Sequence, residues 1–141
     1  MNVEIAHKIA EFLNNYNELD IFLTQDDILK EAKNYIFINN DNQNLIGAVK
    51  YEKVDWYLGI IKHLTVNLSH RKKGTCFKLL NMSEKNALNQ NIRVLQSTIR
   101  KNDIASIKCF KKCGYKQINC FFNKRTKRDI LIFQKILNPC K

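Results

Sequence analysis

The run His63-Leu-Thr-Val-Asn-Leu-Ser-His-Arg-Lys-Lys-Gly-Thr-Cys-Phe-Lys-Leu-Leu80 sets three adjacent cations, Arg71, Lys72 and Lys73, directly before Gly74. Apolar residues alternate up to Val66, and from Thr75 onward they return at helical spacing, which predicts a strand, a short basic loop and a helix. A turn of this kind aims unpaired backbone N–H groups outward, with the partial positive end of the helix behind them. A pyrophosphate suits that place. Arg71, Lys72 and Lys73 add full charge. Gly74 removes the Cβ that would hold the backbone away from a ligand.

The elements that must position this loop follow from the change of apolar period along the chain. Residues 3–14 place Ile5, Ile9, Phe12 and Leu13 at helical spacing, and Thr24-Gln-Asp-Asp27 resembles a capping box opening a second, short helix. Strands are predicted at residues 35–38, 45–54 and 57–66, then a helix at 75–89, a strand at 92–99 and a helix at 104–113. Gly114 suits a left-handed stop to that last helix. Residues 115–122 and 130–136 read as a closing hairpin. The order α-α-β-β-β-α-β-α-β-β in one domain, residues 1–141, predicts an α/β fold: a central mixed sheet with helices on both faces.

A second segment, Asn102-Asp-Ile-Ala-Ser-Ile-Lys-Cys-Phe-Lys-Lys-Cys-Gly-Tyr115, completes a pair of ordered motifs. Together they resemble the GCN5-related N-acetyltransferase (GNAT) superfamily. Its loop reads Q/R-x-x-G-x-G/A, matched by Arg71-Lys-Lys-Gly74-Thr-Cys76 except at the last place. Its later signature is matched by Asn102, Ala105-Ser106 and the helix end Phe110–Tyr115. The resemblance covers residues 25–137 and implies two middle strands splayed like a V, with the thioester arm of acetyl-CoA in the gap. It implies that the backbone at Leu64 and Val66 pairs with the pantetheine and that the Arg71–Cys76 amides hold the pyrophosphate. Asn102 and Ser106 would contact the arm from the other side, with Phe110 beside the thioester. Asn102 is equally read as a plain helix N-cap. The implied activity is acetyl transfer from acetyl-CoA to a primary amine by direct attack, a backbone N–H near a bulge after Val66 stabilising the oxyanion.

Three departures from the family pattern bear on chemistry. Cys76 puts a larger side chain than Gly or Ala close to the phosphates. Phe110 stands where many members carry a tyrosine that protonates the leaving thiolate, which a phenyl ring cannot do; a thiol with a pKa near ~8.5 still leaves as the anion. The strand before the loop holds no carboxylate and offers only Lys62 and His63 as bases, with Glu52 or Asp55 acting through water as a further route. Alternation puts Lys62 on the Leu64/Val66 face and His63 on the other, unless a bulge turns it. A lysine near ~10.4 is protonated and no base. A weak base favours an acceptor amine of low pKa: an α-amine, an aminoacyl group or a nucleobase-like nitrogen.

The chain's 141 residues carry a net charge of +11. Residues 1–59 hold 10 acidic and 5 basic side chains, whereas residues 100–141 hold 12 basic and 2 acidic. That asymmetry suggests an acidic partner for the C-terminal part, or simply a solvated lysine-rich face. Lys101, Lys108, Lys111, Lys112 and Lys116 exceed what coenzyme A needs. Lys124, Arg125, Lys127 and Arg128, at the predicted hairpin tip, are candidates for phosphate contact with a nucleic acid or ribosomal acceptor. Tyr115, Phe121 and Phe122 lie among these charges and, at strand spacing, are expected in the core. An alternative function is a GNAT-fold protein that binds nucleic acid or modifies a base with degenerate acetyltransferase chemistry. Five cysteines without a signal-like N-terminus predict free thiols, a cytoplasmic location and no metal site. No apolar run approaches the ~18 residues of a membrane span. The last sheet element is a candidate for pairing between subunits, which leaves a monomer or a homodimer.

Overall fold

The computed structural model describes residues 1–17, 19, 21–71 and 74–140. Helix α1 (Val3–Tyr16) begins where Asn2 accepts a hydrogen bond from the Ile5 N–H, and it buries the stripe Ala6, Ile9, Ala10, Phe12 and Leu13. Helix α2 (Gln25–Lys30) opens with the predicted capping box: Thr24 Oγ1 accepts from the Asp27 N–H while the Asp27 carboxylate accepts from the Thr24 N–H. Strands β1 (Tyr35–Asn39), β2 (Leu45–Lys53) and β3 (Leu58–Val66) follow. Next come α3 (Thr75–Asn89), β4 (Val94–Arg100), α4 (Ile104–Lys112), β5 (Lys116–Asn123) and β6 (Arg128–Ile136). Short 3-10 turns at Ala32–Asn34 and Leu68–His70 were not foreseen from the apolar period. Gly114 has φ +91°, the left-handed stop expected after α4.

The sheet order is β1-β2-β3-β4-β6-β5, antiparallel throughout except for the parallel pair β3 and β4. Alternation along β2 sends side chains to two separate cores. Ala48 joins Tyr35 under α1 and α2, while Val49 and Tyr51 join Ile61, Leu79, Leu95, Phe110 and Phe133 under α3 and α4. Helix α3 lies close to β2 at Gly47, where an added Cβ would come within 2.9 Å of the Thr75 methyl. Glu84 on α3 is tied to Lys135 on β6 at 2.5 Å, which anchors the helix across the sheet.

Several expectations are corrected. Cys76 and Cys109 are not free thiols: they form a disulfide joining α3 to α4, while Cys113, Cys120 and Cys140 are free. The two cysteines lie 33 residues apart, and only packing of the two helices on one face of the sheet brings them together. Phe121 and Phe122 are 46% and 57% exposed rather than core, although Tyr115 is buried as expected. The cause is topological: β6 inserts between β4 and β5, so β5 is an edge strand without a covering layer. The bulge lies at His63–Leu64, not after Val66, which pairs in register with Gly47. Among the described residues, no helix is long and apolar enough to cross a membrane.

Candidate active site

The parallel ladder between β3 and β4 runs from Leu58 opposite Val94 to Ile61 opposite Ser97 and stops there. Beyond that point β3 stays with β2 up to Val66, and β4 stays with β6 up to Arg100. The two strands therefore diverge. At the vertex, the buried Ser97 hydroxyl donates to the Ile61 carbonyl at 2.8 Å, a last cross-strand link below the opening. A cavity of about 370 Å³ fills the gap, walled by Lys62, His63 and Leu64 on one strand and Thr98, Ile99 and Arg100 on the other. Ser106 and Phe110 of α4 line it from one side, and Phe121, Asn123 and Thr126 of the last hairpin line it from another.

The bulge decides what β3 presents to this cavity. Ala48 faces Thr65 and Lys50 faces Lys62, so His63 and Leu64 together oppose Val49. His63 takes φ +58° at the extra position, a conformation in which histidine is enriched relative to most side chains. His63 lines the cavity, with Nδ1 buried and unpartnered among the described residues. Burial, reinforced by the positive charges of Lys50 and Lys62, pushes its pKa down to about 4. The imidazole is neutral at physiological pH, and it is a weak base.

The other candidate bases are engaged elsewhere. Lys62 donates to Glu52 Oε1 at 2.7 Å. That hydrogen bond, opposed by burial and helped by Lys50, holds the Glu52 carboxyl below the ordinary carboxylate range. Lys50, almost fully buried, also pairs with Glu31, so Glu31, Lys50, Glu52 and Lys62 form one chain of alternating charge beside His63. Asp55 sits in the exposed β2–β3 turn, accepting from the Trp56 N–H. On the α1 face, Asn17 bridges the diverging strands: it donates to Thr65 Oγ1 at 2.7 Å and accepts from Arg100 at 3.5 Å.

At the open end of β3, the 3-10 turn Leu68–His70 is braced by Asn67, whose Oδ1 accepts from the Ser69 N–H, and Arg71 is exposed. Lys72 and Lys73, expected to hold phosphate, lie outside the described residues. Gly74 is the N-cap of α3 with φ +81°, and no side chain caps the helix. Among the described residues, and leaving aside its chain neighbours, no atom lies within 4 Å of a Cβ built there. Thr75 is buried against Gly47, and Cys76 is bonded to Cys109. Across the cleft, the cap of α4 is Asp103 and not Asn102: Asp103 accepts from the Ser106 N–H and the Ser106 hydroxyl. Asn102 is exposed and absent from the cavity wall, while Asp103 and Ser106 line it. Two cap-forming residues in succession hid this one-residue difference in the sequence. Leu64 lines the cavity, and Val66 is buried in the core beneath α3. Phe110 is 1% exposed, its ring edge-on to Tyr115 at 5.0 Å. Thr126 and Asn17 are cavity residues that carried no motif, so nothing local marked them.

The sequence profile of the Acetyltransferase (GNAT) family matches residues 4–115. Streptothricin acetyltransferase of Escherichia coli is 25% identical over 95 residues, covering 67% of this chain and 53% of that protein, so the match spans about half of the relative's length. Two solved structures share the fold at lower identity. yncA of Salmonella typhimurium, solved with its cofactor acetyl-CoA, has a TM-score of 0.80 at 18% identity, covering 100% of this chain and 93% of the other. The ribosomal-protein-S18-alanine N-acetyltransferase of Escherichia coli has a TM-score of 0.76 at 10% identity, covering 100% and 93%.

Proposed function

Starting from the fact that this chain belongs to the acetyltransferase (GNAT) family, we propose that it transfers the acetyl group of acetyl-CoA to a primary amine of low pKa. The observation that carries this reading is the divergence of β3 and β4 beyond Ile61 and Ser97, with a cavity in the gap; the helix that follows β3 in the chain, α3, starts with no side-chain cap. Acetyl-CoA supplies a thioester carbonyl, at which a C–N bond forms as the C–S bond breaks.

The chain's residues fit that donor. Main-chain N–H groups at the start of α3, with Arg71 nearby, would hold a pyrophosphate, and the open space at Gly74 leaves room for it. Leu64, on the bulged strand, would pair through its backbone with the donor's arm, with Ser106 and Phe110 lining the cavity from α4. Phe110 carries no proton, so the thiol, with a pKa near ~8.5, leaves as the anion, and the proton lost by the attacking nitrogen passes to solvent.

His63 then selects the acceptor. With a pKa of about 4, taking a proton from an α-ammonium near ~7.7–8.0 would be uphill by about 4 units, or ~5 kcal/mol. The amine must therefore arrive neutral. At pH 7.5 roughly a quarter to two-fifths of an α-amine is neutral, against about 0.1% of a lysine side chain near ~10.4. This ratio, ~200–300-fold, favours an N-terminal or aminoacyl amine. A fold neighbour named for alanine N-acetylation accords with that choice.

The second reading, a nucleic-acid-binding use of the basic hairpin, is favoured by the exposed Phe121 and Phe122 beside Lys124, Arg125 and Lys127. Titration with acetyl-CoA, followed by melting temperature, separates the two. Wild type should be stabilised by the ligand and Gly74→Glu should not, since that variant places a negative charge at the anion site. CoA release should then be faster with a peptide bearing a free α-amine than with an N-blocked peptide bearing only lysine. Absence of any shift in wild type, with steeply salt-dependent oligonucleotide binding, would leave the second reading standing.

A further inference from the structure

Cys76 is the second residue of α3, immediately after the turn that opens the helix, and Cys109 lies on α4 directly before Phe110. Their disulfide links the two helices that flank the diverging strands on one face of the sheet. Ser106 and Phe110, on the same helix as Cys109, line the cavity. The bridged residues pack against the buried cluster containing Phe110, Leu79 and Leu80, so the link sits on the inner side of the two helices. By backbone alone, the start of α3 reaches this part of α4 only through the rest of α3, β4 and the turn after it. The bridge is thus a direct covalent tie between the start of α3 and the helix, α4, that supplies Ser106 and Phe110 to the cavity.

We infer that Cys76 and Cys109 form a redox latch on the donor site: the bridged state binds acetyl-CoA tightly, and reduction weakens that binding. This inference rests on the proposed acetyl-CoA site. In forming the bridge, each thiol gives up its proton and the sulfur pair gives up two electrons to a disulfide oxidant such as oxidised glutathione, which becomes two reduced thiols. A dithiol reductant runs the exchange backward. One physical effect sets the direction. A ligand that must touch the α3 N-terminus and the α4 wall together binds more tightly when the spacing between them is fixed beforehand.

Linkage is reciprocal: if bridging tightens acetyl-CoA binding by a given factor, acetyl-CoA makes the bridge harder to reduce by the same factor. The test uses the full chain in two states, oxidised with glutathione disulfide and reduced with a phosphine. Thiol counting after unfolding should give three thiols in the first state and five in the second. Calorimetric titration with acetyl-CoA, without acceptor, should give a Kd about tenfold lower for the oxidised protein, within the usual range for coupled sites. Cys109→Ser should bind like the reduced form. Cys76→Ala should lose the dependence on reductant. Acetyl-CoA should also raise the bridged fraction in a fixed glutathione buffer. Five thiols after oxidation, equal Kd values in both states, or tighter binding on reduction would overturn the latch. Binding in neither state would overturn the donor site as well, an outcome distinct from equal and measurable affinities.

Discussion

Replacing His63 by asparagine should make the protein more resistant to acid. Asparagine tolerates the φ of +58° at the bulge, and its amide does not titrate. The fall of the His63 pKa from its ordinary 6.5 to about 4 corresponds to ~3.4 kcal/mol for a fully buried ring, trimmed to ~2–3 kcal/mol because part of the ring meets solvent. The sign follows from proton uptake. As pH falls, the unfolded chain protonates this imidazole around 6.5 and the folded chain only around 4. Within that window the unfolded state holds more protons, so folding is progressively penalised, and the penalty saturates below the folded value. Urea unfolding at pH 7.5 and pH 4.5 should show wild type losing ~2 kcal/mol more than His63→Asn over that interval. Carboxylates that titrate in the same range are common to both proteins and cancel. Parallel pH curves for the two proteins, or a His63 resonance titrating near its ordinary value, would refute the burial argument and with it the selection of a neutral amine.

Phe110→Tyr should raise the rate of acetyl transfer by up to ~10²-fold if the new hydroxyl reaches the cavity that the ring already lines. The measurement is kcat for an α-amine peptide, and an unchanged kcat in a folded variant would place the departing thiolate elsewhere. Lys135→Met should destabilise the fold by ~2–3 kcal/mol, because Glu84, whose side chain is only 12% exposed, would keep its charge without a partner. Adding Glu84→Gln should recover most of that loss in urea unfolding; failure of the double variant to recover would assign the cost to packing of the lysine stem.

Much of the architecture was legible in the residues. The period of apolar positions marks α3 and both strands of the β2–β3 hairpin, Thr24 and Asp27 announce α2, and Gly114 announces the end of α4. These features are local: a cap, a stop or a repeat is complete within a few residues and needs no distant neighbour. The start of α3 at Gly74 belongs to the same class, since a helix start exposes N–H groups wherever it occurs.

Tertiary packing alone decided the features on which the chemistry turns. Alternation along β3 places His63 away from Lys62, but pairing with β2 accommodates one extra residue, and both His63 and Lys62 line the cavity. Burial, reinforced by the charges of Lys50 and Lys62, then depresses the pKa of His63, an environment assembled from β2 and β3. Phe121 and Phe122 carry a core-like pattern and are exposed because β6 takes the inner place beside β4. Cys76 and Cys109 meet only once α3 and α4 lie side by side. The physical division is between short-range backbone preference, which a few neighbouring residues set, and contact between segments far apart in the chain, which exists only after the sheet has ordered its strands.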